Sequence, residues 1–61
     1  MFTVLAGKME WFDEDDGTET LGENIKYIES FESLVDAMRE WEICIGYHFR
    51  RIEYKGEILL S

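Results

Sequence analysis

Ser33-Leu34-Val35-Asp36-Ala37-Met38-Arg39-Glu40-Trp41 is the one stretch of this chain with helical periodicity. At about 100° per residue, Ala37, Trp41, Leu34, Met38 and Val35 fall in one arc, with Arg39, Asp36 and Glu40 opposite. Such a helix lays its apolar face on a second layer. The segments on either side read as strand or acidic loop, so that layer is a sheet. Ser33 takes the N-cap position. Its hydroxyl can accept from the Asp36 amide, and the Asp36 carboxylate can reach back as in a short capping box. Glu42 would enter the apolar arc, which predicts a stop near Trp41 after about two turns.

Before the helix, Phe2 to Phe12 alternates Phe2, Val4 and Ala6 against Thr3, Leu5 and Gly7, the period of a strand. Gly7 marks a bulge or bend. Trp11 and Phe12 are adjacent and point to opposite faces. Asp13 to Asn24 carries six acids, two glycines and no base, and reads as a loop. Ile25 to Phe31 is a second strand, paired antiparallel with the first.

After the helix, Ile43 to Ile52 reads as a third strand. Ile43, Ile45, Tyr47 and Phe49 occupy one face, and Cys44, Gly46, His48 and Arg50 the other. The phase breaks at Arg50-Arg51-Ile52, which signals a bulge or the edge of the buried region. Lys55-Gly56 is a two-residue turn. Glu57 to Leu60 returns as a fourth strand, with Ile52 facing Leu59 and Arg51 facing Leu60. The expected fold is α+β: one small domain, residues 1–61, β-β-α-β-β, an antiparallel sheet with one short helix packed on one face.

Sixty-one residues bury a small core, and such chains often add a disulfide, a metal or a second copy. Cys44 is the only cysteine and His48 the only histidine, so neither an internal disulfide nor a Cys/His zinc site is available. Two Trp, three Tyr and four Phe favour a dense core, and a homodimer is a second way to stability. The apolar start at Met1 lacks the basic residues of a secretory signal, and no segment reaches a membrane span. The expected compartment is the cytoplasm.

Fourteen acids oppose six bases, for a net charge of −8. The asymmetry is sharp: residues 1–42 hold 12 acids and 3 bases, and residues 43–61 hold 2 acids and 3 bases. Direct binding to nucleic acid is disfavoured, because that binding uses Lys and Arg to displace counterions. Anionic membrane is disfavoured for the same reason. A basic protein surface is the favoured partner. An acidic surface also keeps a small chain soluble, and that reading stands beside the first.

The candidate chemistry is sparse. On one strand, Cys44 and His48 would lie about 13 Å apart, too far for a nucleophile-base pair. Arg50 and Arg51 could hold a phosphate, or pair with the chain's own acids. A calcium loop with Gly17 at position six would use Glu14, Asp16 and Glu23, but Phe12 would fall at position one and cannot ligate. No cofactor, no metal and no enzymatic activity are expected.

The acidic segment is the informative one. Six carboxylates within twelve residues repel one another, and scattering them would serve solubility as well. Glu32, Asp36 and Glu40 could extend that surface. Duplex DNA carries about one negative charge per 1.7 Å of axis, and a carboxylate array on a small domain can imitate it. In being short, very acidic and without a catalytic constellation, the chain is similar to small phage-encoded inhibitors of host defence, including anti-CRISPR and anti-restriction proteins. This likeness rests on general character and carries over no residue roles. The expected function is a non-enzymatic inhibitor of a basic, nucleic-acid-binding protein. Asp13, Glu14, Asp15, Asp16, Glu19, Glu23, Glu32, Asp36 and Glu40 would supply charge, with Trp11 or Phe12 as apolar anchor. The alternative is a structural or accessory subunit acting through homodimerisation or a sheet edge.

Overall fold

The computed structural model describes residues 1–61. Strands β1 (Phe2–Asp13) and β2 (Glu19–Phe31) form a hairpin. Helix α1 (Leu34–Ile43) runs into a 3-10 turn (Cys44–Gly46). Strands β3 (Phe49–Tyr54) and β4 (Glu57–Leu60) close the chain. All neighbouring strands are antiparallel, in the order β2-β1-β3-β4. The sequence order and the single helix are those expected.

The hairpin departs from expectation in its length. The segment Asp13 to Asn24 is not a loop. Only Glu14–Thr18 turns, and Glu19–Asn24 belongs to β2, opposite Lys8–Asp13. Glu14 N–H donates to the Thr18 carbonyl at 2.7 Å, and Gly17 N–H to the Glu14 carbonyl at 3.0 Å. Asp16 Oδ1 accepts from both the N–H and the hydroxyl of Thr18, and Gly17 takes φ 86°, where a side chain would be strained. The turn is thus set by local chemistry. The strand beyond it carries no apolar alternation strong enough to read, because neither face of the ribbon is fully buried.

Strand β3 pairs with β1 only from Thr3↔Glu53 to Gly7↔Phe49. Beyond Gly7 the hairpin continues alone for six pairs, a two-stranded arm of about 20 Å. It accounts for the elongated shape, 44 × 24 × 15 Å. At the root of the arm the register shifts between Ala6 and Gly7, the bulge that Gly7 signalled.

The core lies under the proximal sheet. Val4, Ala6 and Ile52 are fully buried against Ala37 and Cys44, with Phe2, Tyr27, Phe31, Trp41, Tyr47 and Leu60 packed around them. Phe2 stacks on Tyr54 with ring centroids 4.6 Å apart. Of the helical stripe expected to be core, Ala37 is buried and Trp41 half-buried, while Leu34, Val35 and Met38 are exposed. The buried line is Ala37, Trp41, Cys44, at i, i+4, i+7. This roll brings Glu40 to Tyr27, whose hydroxyl donates to its carboxylate at 3.1 Å.

The same roll leaves Glu42 exposed, so the helix passes Trp41 to Ile43. Ser33 is the N-cap residue, and its carbonyl accepts the Ala37 N–H, but its side chain makes no cap bond. The expected third strand from Ile43 is corrected: Ile43 to Gly46 is helical and β3 starts at Phe49. Ile52 faces Leu60 and Glu53 faces Ile58, with the irregularity between Ile52 and Glu53. That corrects the expected facing of Ile52 with Leu59 and of Arg51 with Leu60. The Lys55-Gly56 turn stands, with φ of 51° and 79°.

Candidate functional site

The arm gathers most of the expected partner-binding residues. Asp13, Glu14, Asp15, Asp16 and Glu19 surround its tip, and none of them is in an ion pair. The hydrogen bonds from Thr18 hold the Asp16 carboxyl below its ordinary range. Trp11 stands two residues before Asp13, opposite Leu21, and is 65% exposed. Phe12 points to the other face and covers Gly22, whose missing Cβ would meet that ring at 3.2 Å.

The arm holds its shape through specific contacts. On the Phe12 face, the Asn24 amide donates to the Glu10 carboxylate at 2.8 Å, and Lys26 Nζ lies 3.7 Å from it. The Asn24 bond, followed by the attraction of Lys26, holds the Glu10 carboxyl below its usual value. On the edge facing β3, Met9 N–H donates to His48 Nδ1 at 3.0 Å.

Other expected residues lie elsewhere. Glu23 is on the arm's root, where Arg51 donates to both its oxygens at 3.0 Å. Arg51 reaches it across β1 and also donates to Glu53 at 2.7 Å. These bonds, Glu53 first and then Glu23, raise the Arg51 pKa further. Glu40 serves Tyr27. Glu32 and Asp36 are exposed at the start of α1, which packs on the proximal sheet. The tip lies about 23 Å along β1 from Ala6, so the helix and tip carboxylates do not form one surface.

The remaining candidates do not assemble a reactive centre. Cys44 is buried in the 3-10 turn rather than on a strand, and burial pushes its thiol pKa up. Arg50 donates to the Trp41 carbonyl at 2.7 Å and stacks 3.5 Å over the Trp41 ring. The Trp41 Nε1–H is buried without an acceptor. Trp41, Tyr47, His48, Phe49, Arg50 and Ser61 line an open groove of about 400 Å³. No three His, Cys, Asp or Glu side chains converge as a metal site, and no helix is long and apolar enough to cross a membrane.

The sequence reading missed the apolar residues that accompany Trp11. Met9, Leu21 and Ile25 are exposed on the same face of the arm. Leu21 stands alone among polar residues from Glu19 to Asn24, so no alternation announced this face. No family model, curated protein or solved structure matches the chain.

Proposed function

We propose that this chain is a small acidic, non-enzymatic binding protein that inhibits a basic, nucleic-acid-binding protein by inserting its β1–β2 arm. The observation that supports this reading is the pairing of Trp11, largely exposed, with five unpaired carboxylates around one turn. A projecting ribbon of this shape enters a cleft that a flat surface would not. The tip acids stand in for backbone phosphates and steer association. Trp11 and Leu21 supply the desolvated contact on which affinity depends. This is the logic of nucleic-acid mimicry, as in phage anti-defence inhibitors.

The test is capture from a bacterial lysate at low salt, followed by release with duplex DNA. A nucleic-acid enzyme retained by the wild type and released by DNA supports the reading. A second bait changes Asp13, Glu14, Asp15, Asp16, Glu19 and Glu23 to Asn or Gln. Equal retention of the same enzyme on that bait rejects the arm as the binding site.

A second reading, a structural or accessory subunit working through self-association, is favoured by a different observation. The sheet is open, and one of its faces has no covering layer.

A further inference from the structure

We infer that two copies of this chain pair through the sheet face opposite α1. The helix covers the face of Val4, Ala6 and Ile52. Register places Leu5, Met9, Ile25, Ile28 and Ile58 on the other face, among the polar Thr3, Ser30, Glu23, Arg51 and Glu53 and continuing to Trp11 and Leu21 on the arm. No helix covers it, and only Leu5 and Gly7 at its centre are buried, Gly7 under the Phe49 ring. Ile28 is 62% and Ile58 59% exposed, with Met9 and Ile25 near two-fifths.

The core is small for a chain of this length. Apart from Gly7, six residues are buried, two of them alanines. Cys44 is free, so no disulfide compensates. Domains of this size are marginal on such a core and often gain a second source of burial. A partner met only occasionally would leave the core deficient between encounters. A second copy is present wherever the chain is, which makes it the occupant that answers the deficit.

The area fits. Met9, Ile25 and Ile28 on the β1–β2 side and Ile58 on β4 together offer on the order of 400 Å² of apolar surface, within the range of the largest and often functional patch of a monomer. Homodimer interfaces are about 65% apolar, so this corresponds to about 600 Å² per copy. The total of about 1,200 Å² reaches the lower range of specific interfaces.

Charge fits as well. The one cation on this face, Arg51, is already bonded to Glu23 and Glu53, so the face makes no demand for an acidic or basic partner. The unpaired acids are at the arm tip. A two-fold axis lying between the sheets and across the strands sends the two arms in opposite directions. That keeps the tips apart and packs the sheets face to face. Trp11 and Leu21 lie on this same face, farther out along the arm, and the dimer would present two arms.

The test is sedimentation equilibrium and thermal melting over about a hundredfold concentration range. The wild type should sediment at twice the chain mass, with a melting temperature that rises with concentration. Ile28→Glu should weaken the dimer at least about a hundredfold, because it buries an unpaired charge. Val35→Glu, the same charge change on an exposed helix residue, should leave it intact. A monomeric wild type with concentration-independent melting overturns the proposal. So does a dimer that survives Ile28→Glu, or one lost equally in Val35→Glu.

Discussion

The imidazole of His48 extends the β1–β3 ladder past its last residue pair. Gly7 and Phe49 are that last pair, and Met9 N–H, the next donor along the edge of β1, is accepted by His48 Nδ1 at 3.0 Å. Accepting there puts the ring proton on Nε2. The arm is therefore tied at its root by a side chain that stands where a strand would have continued.

His48→Ala removes this acceptor without touching the core. The expected cost is about 0.5–1.5 kcal/mol, the net value of one hydrogen bond. Its signature is local. The Met9 amide should exchange with solvent about tenfold faster relative to the Leu5 amide, because only the arm's root is released. Equal acceleration at both amides would show that His48 supports the whole fold instead.

Gly7→Ala should be among the most damaging single changes. A Cβ at Gly7 would overlap the Asn24 carbonyl oxygen and lie 2.8 Å from the Phe49 ring. Asn24 belongs to the bulged strand, so its backbone cannot retreat without losing the register of the arm. Overpacking of this kind costs about 1–3 kcal/mol. In a domain with so few buried residues that is enough to unfold a large share of molecules. Denaturant unfolding of the variant measures it.

Gly7 also shows what the sequence made legible. A glycine inside an alternating apolar strand announces a bulge, and Lys55-Gly56 announces a turn, because both signals are local backbone chemistry. The helix was legible, but its roll was not. Ile43, Ile45 and Tyr47 alternate like a strand, while Ala37, Trp41 and Cys44 repeat like a helix through the same region. Packing of Cys44 under the sheet decided between them, at the cost of leaving Ile43 and Ile45 exposed. The arm was hidden for the opposite reason. Alternation reports a buried face, and Glu19–Asn24 has none. Trp11 and the tip acids could be singled out by residue type, whereas the separation of Glu32, Asp36 and Glu40 from them required the length of the ribbon.

Tyr27 makes stability depend on pH at the alkaline end. Burial first, and then its bond to the Glu40 carboxylate, push its pKa from 10.0 to about 12. Below pH 10 the folded and unfolded chains both keep the phenolic proton, and the contribution is whole. Above it the unfolded chain ionises first, so stability falls until the folded pKa near 12 is passed. Tyr27→Phe should flatten this fall in denaturant titrations between pH 9 and 11. A wild-type stability that does not decline across that window would contradict the packing of Tyr27 against α1.

Arg51 holds three strands together by reaching from β3 over β1 to β2. Its partners are partly open to solvent, with side-chain exposures of 43% for Glu23 and 33% for Glu53, so screening limits the gain. Arg51→Ala should cost about 1–2 kcal/mol, part of it from two carboxylates left facing each other. Arg51→Lys should recover less than half of the loss. One ammonium cannot bond Glu53 through one nitrogen and Glu23 through another. Chemical denaturation of both variants against the wild type gives the comparison.

Trp11→Ala separates binding from folding. Its ring packs on no core residue, so the melting temperature should stay within the range of ordinary surface substitutions, about ±0.5 kcal/mol in stability. Binding to the captured target should weaken about thirtyfold or more, the scale of a buried aromatic anchor, and the loss should lie mainly in a faster off-rate. Neutralising Asp13, Glu14, Asp15, Asp16 and Glu19 should act on the other constant: a slower on-rate and a shallower dependence on salt, with the off-rate changed less. The two effects should be nearly additive, because the ring and the carboxylates serve different stages of the encounter. Surface plasmon resonance at two ionic strengths resolves both rates. If the acid variant changed only the off-rate, the tip would be gripping its target through fixed ion pairs, and steering would not be its role.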